Sequence, residues 1–224
     1  MLANLPIFRR TARPQLAQLA RHARVQYAQR GDLIARCGER PSGLMAVGYG
    51  LVKLSLKGAS GKVLRLVGPA ETFGEAVLFL DEPLPVDATA LSDTLLVVVP
   101  AAPLLQLIDS DPAFARALLA SVCQRMHALI GDFEAATLHG ARERLAAYLD
   151  SLAEPGSAVA ELPAAKTVVA ARLGVAKETL SRLLRQFAEE GLIAVQRRSI
   201  TLLDRERLAA AARGGKSASA SYRG

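Results

Sequence analysis

Between Val25 and Pro100 the chain is written in short runs of β-forming residues broken by glycine, and after Pro100 that texture stops. The runs are Leu44 to Leu56, Val63 to Val67, Val86 to Leu91 and Leu95 to Val99. Gly38, Gly43, Gly48, Gly50, Gly58, Gly61, Gly68 and Gly74 fall between or within them. Many short strands with closely spaced turns predict an antiparallel sandwich, roll or barrel. Lys57 to Lys62 is the expected hairpin loop. Residues 1–22 are expected to be helical, with Pro14 suited to a helix start and Leu16, Leu19 and Ala20 on one face.

Past Pro100 the period changes. Pro112 is expected to open a long helix that runs to about Thr137. Leu118, Val122, Leu129 and Phe133 line one face of it, and Met126 and Ile130 widen the stripe. An apolar stripe on a helix that joins two domains predicts a parallel dimer seam, the alternative being that it packs on its own β domain. Gly140 interrupts the pattern, Arg142 to Leu152 reads as another helix, and Glu154 to Ser157 as a loop.

Two short helices then meet at a tight turn: Lys166 to Leu173, Gly174, and Lys177 to Glu190. Ala170 lets the helices approach, Gly174 permits the turn, and Val175, Leu180, Leu183 and Leu184 bury the crossing. The outer face of the second helix carries Lys177, Glu178, Ser181, Arg182 and Arg185, side chains able to reach base edges and phosphates. A hairpin follows, with Leu192 to Val195 and Ser199 to Leu203 flanking Gln196-Arg197-Arg198. A helical pair with a basic wing predicts binding to double-stranded DNA.

Charge agrees with that prediction without proving it. The net charge is +7, and residues 139–224 hold 14 Lys and Arg against 9 Asp and Glu. A basic surplus at one end suits a polyanion, although excess arginine on exposed helices also serves solubility. No eighteen-residue apolar stretch occurs, so no membrane span is expected, and with no secretory leader pattern the expected location is the cytoplasm. There is no pair of histidines at metal spacing, no nucleophile motif and no phosphate-cradling glycine loop. Their absence argues against an enzyme such as a cupin-like barrel.

Two sets of motifs carry a family resemblance. One is Gly50-Leu51-Val52-Lys53-Leu54, Gly61-Lys62 and Phe73-Gly74-Glu75; the other is Gly174 to Arg182. From about Ile7 to Arg207 the chain resembles the CRP/FNR family of bacterial regulators. The resemblance implies an α+β chain: a cyclic-nucleotide-binding-type β-roll, a long dimerisation helix and a C-terminal winged helix-turn-helix. The expected boundaries are 1–110 for the roll with its N-terminal helix, 111–138 for the dimerisation helix and hinge, 139–213 for the DNA-binding domain, and 214–224 for a disordered tail. The seam of the implied homodimer would be Leu118, Val122, Met126, Leu129 and Phe133.

The Glu178, Ser181 and Arg182 pattern matches the FNR branch. By that resemblance Arg182 bonds guanine, Glu178 accepts from cytosine and Ser181 lies against a thymine methyl, giving inverted TTGAT-type half-sites. Lys166, Thr167, Lys177, Arg185, Arg197 and Arg198 are the expected backbone contacts. Ala176 departs from the family pattern, which often places a capping residue before the recognition helix. RNA polymerase is an implied partner, with the Asp81-Glu82 turn as a candidate contact.

The implied effector pocket includes Phe73, Gly74, Glu75 and His127. In the cAMP-binding branch an Arg-Ser pair follows Gly-Glu; here that position falls at Pro85-Val86 or Val86-Asp87, and no arginine lies between Arg65 and Arg116. A buried phosphate without a cationic partner is strongly disfavoured, which argues against cAMP. An iron–sulfur cluster needs four thiolates, and only Cys37 and Cys123 exist. Thr72 to Pro83, Arg125-Met126-His127 and Leu203 to Arg207 resemble the Dnr-type branch, which implies haem and nitric oxide; of His22, His127 and His139, His127 on the central helix is the candidate axial ligand, the alternative being an ordinary interface residue. Cys37 is another possible ligand, Cys123 is expected to pack in the helix interface, and oxidation of either cysteine is the alternative control.

Overall fold

The computed structural model describes residues 2–40, 42–57, 61–80, 82–154 and 156–214. The middle of the expected Lys57–Lys62 loop, Asp81, Pro155 and the tail beyond Gly214 lie outside them. The chain divides into two compact units, Met1–Ala128 and Leu129–Gly224, and the division falls inside a helix.

In the first unit two short 3-10 turns, Leu2–Asn4 and Pro6–Phe8, precede helix α1, Arg13–His22. Pro14 sits in its first turn, where a missing N–H breaks no helical bond. Eight strands follow: β1 Arg24–Ala28, β2 Leu33–Ala35, β3 Gly43–Tyr49, β4 Val52–Ser55, β5 Val63–Val67, β6 Thr72–Phe73, β7 Asp87–Ala90 and β8 Thr94–Pro100. They form two antiparallel four-stranded sheets, ordered β1-β8-β3-β6 and β2-β7-β4-β5. The expected single run from Leu44 to Leu56 is two strands. Gly50 divides them at φ +92, where an added Cβ would press into the backbone of Asp93 and Thr94. The chain therefore leaves one sheet and enters the other at that point. Val47, Val52, Val67, Phe73, Leu96 and Val98 bury the space between.

Helix α2, Ala76–Phe79, separates β6 from β7. After β8 come α3, Ala101–Ser110, and α4, Pro112–Leu138. The texture change at Pro100 thus marks a helix start that the glycine pattern did not reveal. Asp111 caps α4, its Oδ1 accepting from the N–H groups of Ala113 and Phe114 at 2.9 and 3.1 Å. Phe114 stacks on Phe8 with centroids 5.2 Å apart, and Leu118 lies beside it in a core with Leu19, Leu44, Val99 and Leu104.

In the second unit α4 ends at Leu138 and α5 spans Ala141–Leu152. Then come β9 Val159–Glu161, α6 Lys166–Leu173, α7 Lys177–Glu189, β10 Ile193–Gln196, β11 Ser199–Leu202 and α8 Arg205–Ala212. The sheet order is β10-β11-β9, all antiparallel, so the expected hairpin is widened by a third strand. Leu145, Leu149, Val169, Leu180, Leu184, Phe187, Ile193, Ile200 and Leu208 form one core drawn from nearly every element of this unit.

Candidate nucleic-acid interface and effector site

The α6–α7 turn is set by backbone hydrogen bonds. Gly174 takes the left-handed conformation at φ +67, the Val175 N–H donates to Ala170 O at 3.0 Å, and the Gly174 N–H donates to Ala171 O at 3.4 Å. That paired pattern closes a helix on a left-handed residue, which glycine adopts without a Cβ clash. Ala176 leads into α7 with no side-chain cap, as the departure in sequence implied.

Helix α7 is sharply two-sided. Leu180, Leu183, Leu184 and Phe187 are buried, while Glu178, Ser181, Arg182 and Arg185 are exposed on the opposite face. Spacings of three and four keep each set in one stripe. No hydrogen bond or ion pair to a described residue engages the side chains of Lys166, Lys177, Glu178, Ser181, Arg182, Arg185, Arg197 or Arg198, although the Arg198 carbonyl accepts from the Leu162 N–H at 2.9 Å. Thr167 is likewise exposed, in the first turn of α6. At the wing tip Arg197 has φ +56, a left-handed conformation costly for a residue with a Cβ. Arg197 and Arg198 are the two residues between the paired Gln196 and Ser199, so both project at the end of the hairpin.

Much of the remaining positive charge is engaged within this unit. Arg142 pairs with Glu190 and lies 4.6 Å over the Phe187 ring. Arg172 meets Asp132 at 2.7 Å, Arg205 meets Asp150 at 2.6 Å, and Arg144 donates to two backbone carbonyls. The surplus that the charge count detected is smaller at the surface than its total suggests. Among the described residues of this unit, the cations whose side chains have no partner are those of α7, the start of α6, the wing and Arg213.

Around Gly74-Glu75 the roll carries an ionic cluster. Thr72 Oγ1 donates to Glu75 Oε1 at 2.6 Å, and Arg125 Nη2 of α4 stands 2.9 Å from the same oxygen. Arg65 donates to Thr72 O at 3.0 Å and pairs with Glu71 at 3.0 Å. Burial pulls the Arg125 pKa down, and Glu75 opposes that shift. Nη2 is buried and makes no well-directed hydrogen bond although the Glu75 contact is short, so the attraction is ionic and off-axis. No cation follows Glu75 closely in sequence; the one beside it is supplied by α4, fifty residues on.

The other expected pocket residues are not drawn into that cluster. Phe73 is in the roll core at 2% exposure, packed among Val47, Val67 and Leu96. His127 is exposed on α4 and its imidazole bonds no described residue. The Cys37 N–H donates to Asp87 Oδ1 at 2.8 Å, and Cys123 is exposed on α4. Among the described residues no group of three His, Cys, Asp or Glu could hold a metal ion, and no helix is long and apolar enough to cross a membrane. Leu118 corrects the expected seam: it is 3% exposed, locked into the roll core beside Phe114. The exposed stripe instead runs through Leu119, Val122, Met126, Leu129, Ile130 and Phe133.

Comparison with known proteins follows the same division. Residues 25–111 match the cyclic nucleotide-binding domain, and residues 143–211 match the Crp-like helix-turn-helix domain. The chain is 25% identical over 221 residues to the CRP-like cAMP-activated global transcriptional regulator of Mycobacterium tuberculosis, covering 95% of this chain and 99% of that one. It is 30% identical over 158 residues to the cyclic AMP receptor protein of Thermus thermophilus, covering 70% and 73%. Its fold is similar to that of FixK2 from Bradyrhizobium japonicum, with TM-score 0.74 at 22% identity over 88% of this chain and 99% of that one. These relatives are regulators rather than enzymes. With its roll, long helix and helix-turn-helix in this order, the chain belongs to the CRP/FNR family of transcription regulators, with an effector-binding domain and a DNA-binding head.

Proposed function

We propose that the chain acts as a homodimer in the cytoplasm, reads inverted TTGAT-type half-sites, and is switched by a small polar effector at Glu75 and Arg125. The observation that carries the DNA reading is the outer face of α7. Glu178, Ser181 and Arg182 are exposed, unengaged and in one stripe, backed by a fully buried opposite face. Arg182 offers a guanidinium fork to guanine O6 and N7, Glu178 accepts from cytosine N4, and Ser181 lies against a thymine methyl. Lys166, Thr167, Lys177, Arg185, Arg197 and Arg198 hold phosphates and set register.

The exposed stripe from Leu119 to Phe133 supports the dimer. It repeats at three- and four-residue steps, as two parallel helices require. A two-fold dimer presents two α7 helices to half-sites about one helical turn apart. RNA polymerase is the further partner in this reading, with exposed Glu82 in the candidate contact and Asp81 outside the described residues.

Glu75 and Arg125 support the input. An effector with hydroxyl donors and an anionic group can take Glu75 and Arg125 separately and so part them. Such an exchange changes what α4 holds in the roll, the differential contact that any switch needs. Haem with nitric oxide is the second reading, because the exposed His127 imidazole is free of described partners two residues beyond Arg125. His127 would supply an axial nitrogen there, and haem would supply the gas-binding iron.

Binding of the purified chain to a duplex carrying inverted TTGAT half-sites, against the scrambled duplex at one salt concentration, tests the output. Equal affinity for the two overturns it. Reconstitution with haem tests the second reading, which a missing Soret shift with nitric oxide sets aside.

A further inference from the structure

The turn ahead of the recognition helix is held from two sides by residues that the DNA reading does not use. Arg144, on α5, donates from Nε to Leu173 O at 3.1 Å and from Nη1 to His139 O at 2.6 Å. Leu173 is the last residue of α6, so its carbonyl is one that the helix cannot satisfy itself. His139 lies in the two-residue junction between α4 and α5. One planar, charged group therefore joins the α4–α5 junction to the helix-turn-helix turn, and its plane fixes the angle between the two bonds.

The neighbouring residue makes the second tie. Arg172 Nη2 reaches Asp132 Oδ2, on the last turns of α4, at 2.7 Å. The junction itself is also pinned, since Glu143 accepts from the Gly140 N–H at 2.7 Å and faces His139 Nδ1 at 3.3 Å. A partly exposed ion pair contributes little to stability, so the value of Asp132–Arg172 is geometric. Three consecutive residues, Arg172, Leu173 and Gly174, are then fixed by α4, by α5 and by the left-handed turn.

We infer that Arg144 and the Asp132–Arg172 pair are positioning residues that weld the reading head to the end of the central helix and thereby set which half-site spacing the dimer accepts. This rests on the dimer and inverted-repeat reading given above. A welded head transmits the seam geometry directly to α7. A loosened head keeps its own base-reading face but swivels, so the two α7 helices no longer measure a fixed distance on DNA.

The test compares the full-length protein on three duplexes: inverted TTGAT half-sites one turn apart, the same sites with two base pairs added, and a scrambled control. The unaltered protein should prefer the first over the second by about tenfold or more, the size of a single poor base match. Arg144→Lys keeps a charge but cannot bridge both carbonyls. It should bring the two spacings to within about threefold while still preferring TTGAT to the scrambled duplex. Asp132→Arg should do the same, and Asp132→Arg with Arg172→Asp should restore the spacing preference. That rescue decides the matter if Arg144→Lys does not fold. Retained spacing preference in Arg144→Lys and in Asp132→Arg overturns the inference, as does failure of the charge swap to rescue. If the unaltered protein itself ignores spacing, the inverted-repeat reading is what fails, and the weld falls with it.

Discussion

Arg142 and Glu190 meet in a two-point contact, Nη1 to Oε1 at 2.9 Å and Nη2 to Oε2 at 2.5 Å, that ties the first turn of α5 to the cap of α7. The same guanidinium covers the Phe187 ring, so one side chain steadies the C-terminal end of the recognition helix through charge and through an aromatic face.

This pair predicts an acid-sensitive contribution. The hydrogen bonds from Arg142 hold the Glu190 carboxyl below its usual range, with burial opposing. A depressed folded-state pKa stabilises above the unfolded value and is lost as pH falls through the folded value. Between pH 7 and about 5 the contribution should be constant, and below about 4.3, the ordinary glutamate value, it should fade. Melting curves of the unaltered protein and Glu190→Gln should therefore differ at pH 7 and converge toward pH 3. A difference that grows as pH falls would contradict this.

The seam prediction separates two adjacent leucines. Leu118→Ala empties a buried site and should destabilise the first unit by about 2–5 kcal/mol, read by denaturant unfolding. Leu119→Glu lies on the exposed stripe and should leave monomer folding intact while shifting sedimentation from dimer to monomer. The reverse pattern, with Leu118→Ala neutral and Leu119→Glu unfolding the roll, would show that the helix faces were assigned backwards.

The wing tip should trade stability against binding. Arg197 holds φ +56, so Arg197→Gly should relieve strain and raise stability by up to about 1 kcal/mol. The same change removes one phosphate contact from each protomer, so DNA affinity should fall and the slope of log affinity against log salt should drop by about two for the dimer. Unchanged salt dependence would remove Arg197 from the interface.

How much of this was legible in the sequence depends on the range of each interaction. The α6–α7 turn is local: Ala170, Gly174, Leu180 and Leu184 sit within fifteen residues and announce it by period alone. The choice between Leu118 and Leu119 is not local. Both lie on an apolar arc of α4, and the core drawn from α1, the roll and α3, with Leu19, Leu44, Val99 and Leu104, decides that Leu118 is the buried one. The Arg125–Glu75 pair spans fifty residues and two elements, so no spacing rule reaches it. Charge counting likewise could not tell that Arg142, Arg144 and Arg172 are engaged inside the fold while Arg182 is free. Strand β9, three residues long, carries no pattern of its own and is defined by pairing with β11; helix α8 carries a local one, the Asp204 cap ahead of an alanine run, with Leu208 packed in the core.

The central claim is that Arg182 reads a base from the exposed face of α7. Selection of preferred sites from random duplexes by the unaltered protein and by Arg182→Ala tests it most directly. The account predicts that the variant binds about 1–3 kcal/mol more weakly per half-site and loses preference at one position of each half-site, the others being kept. Identical preferred sites for the two proteins would contradict it.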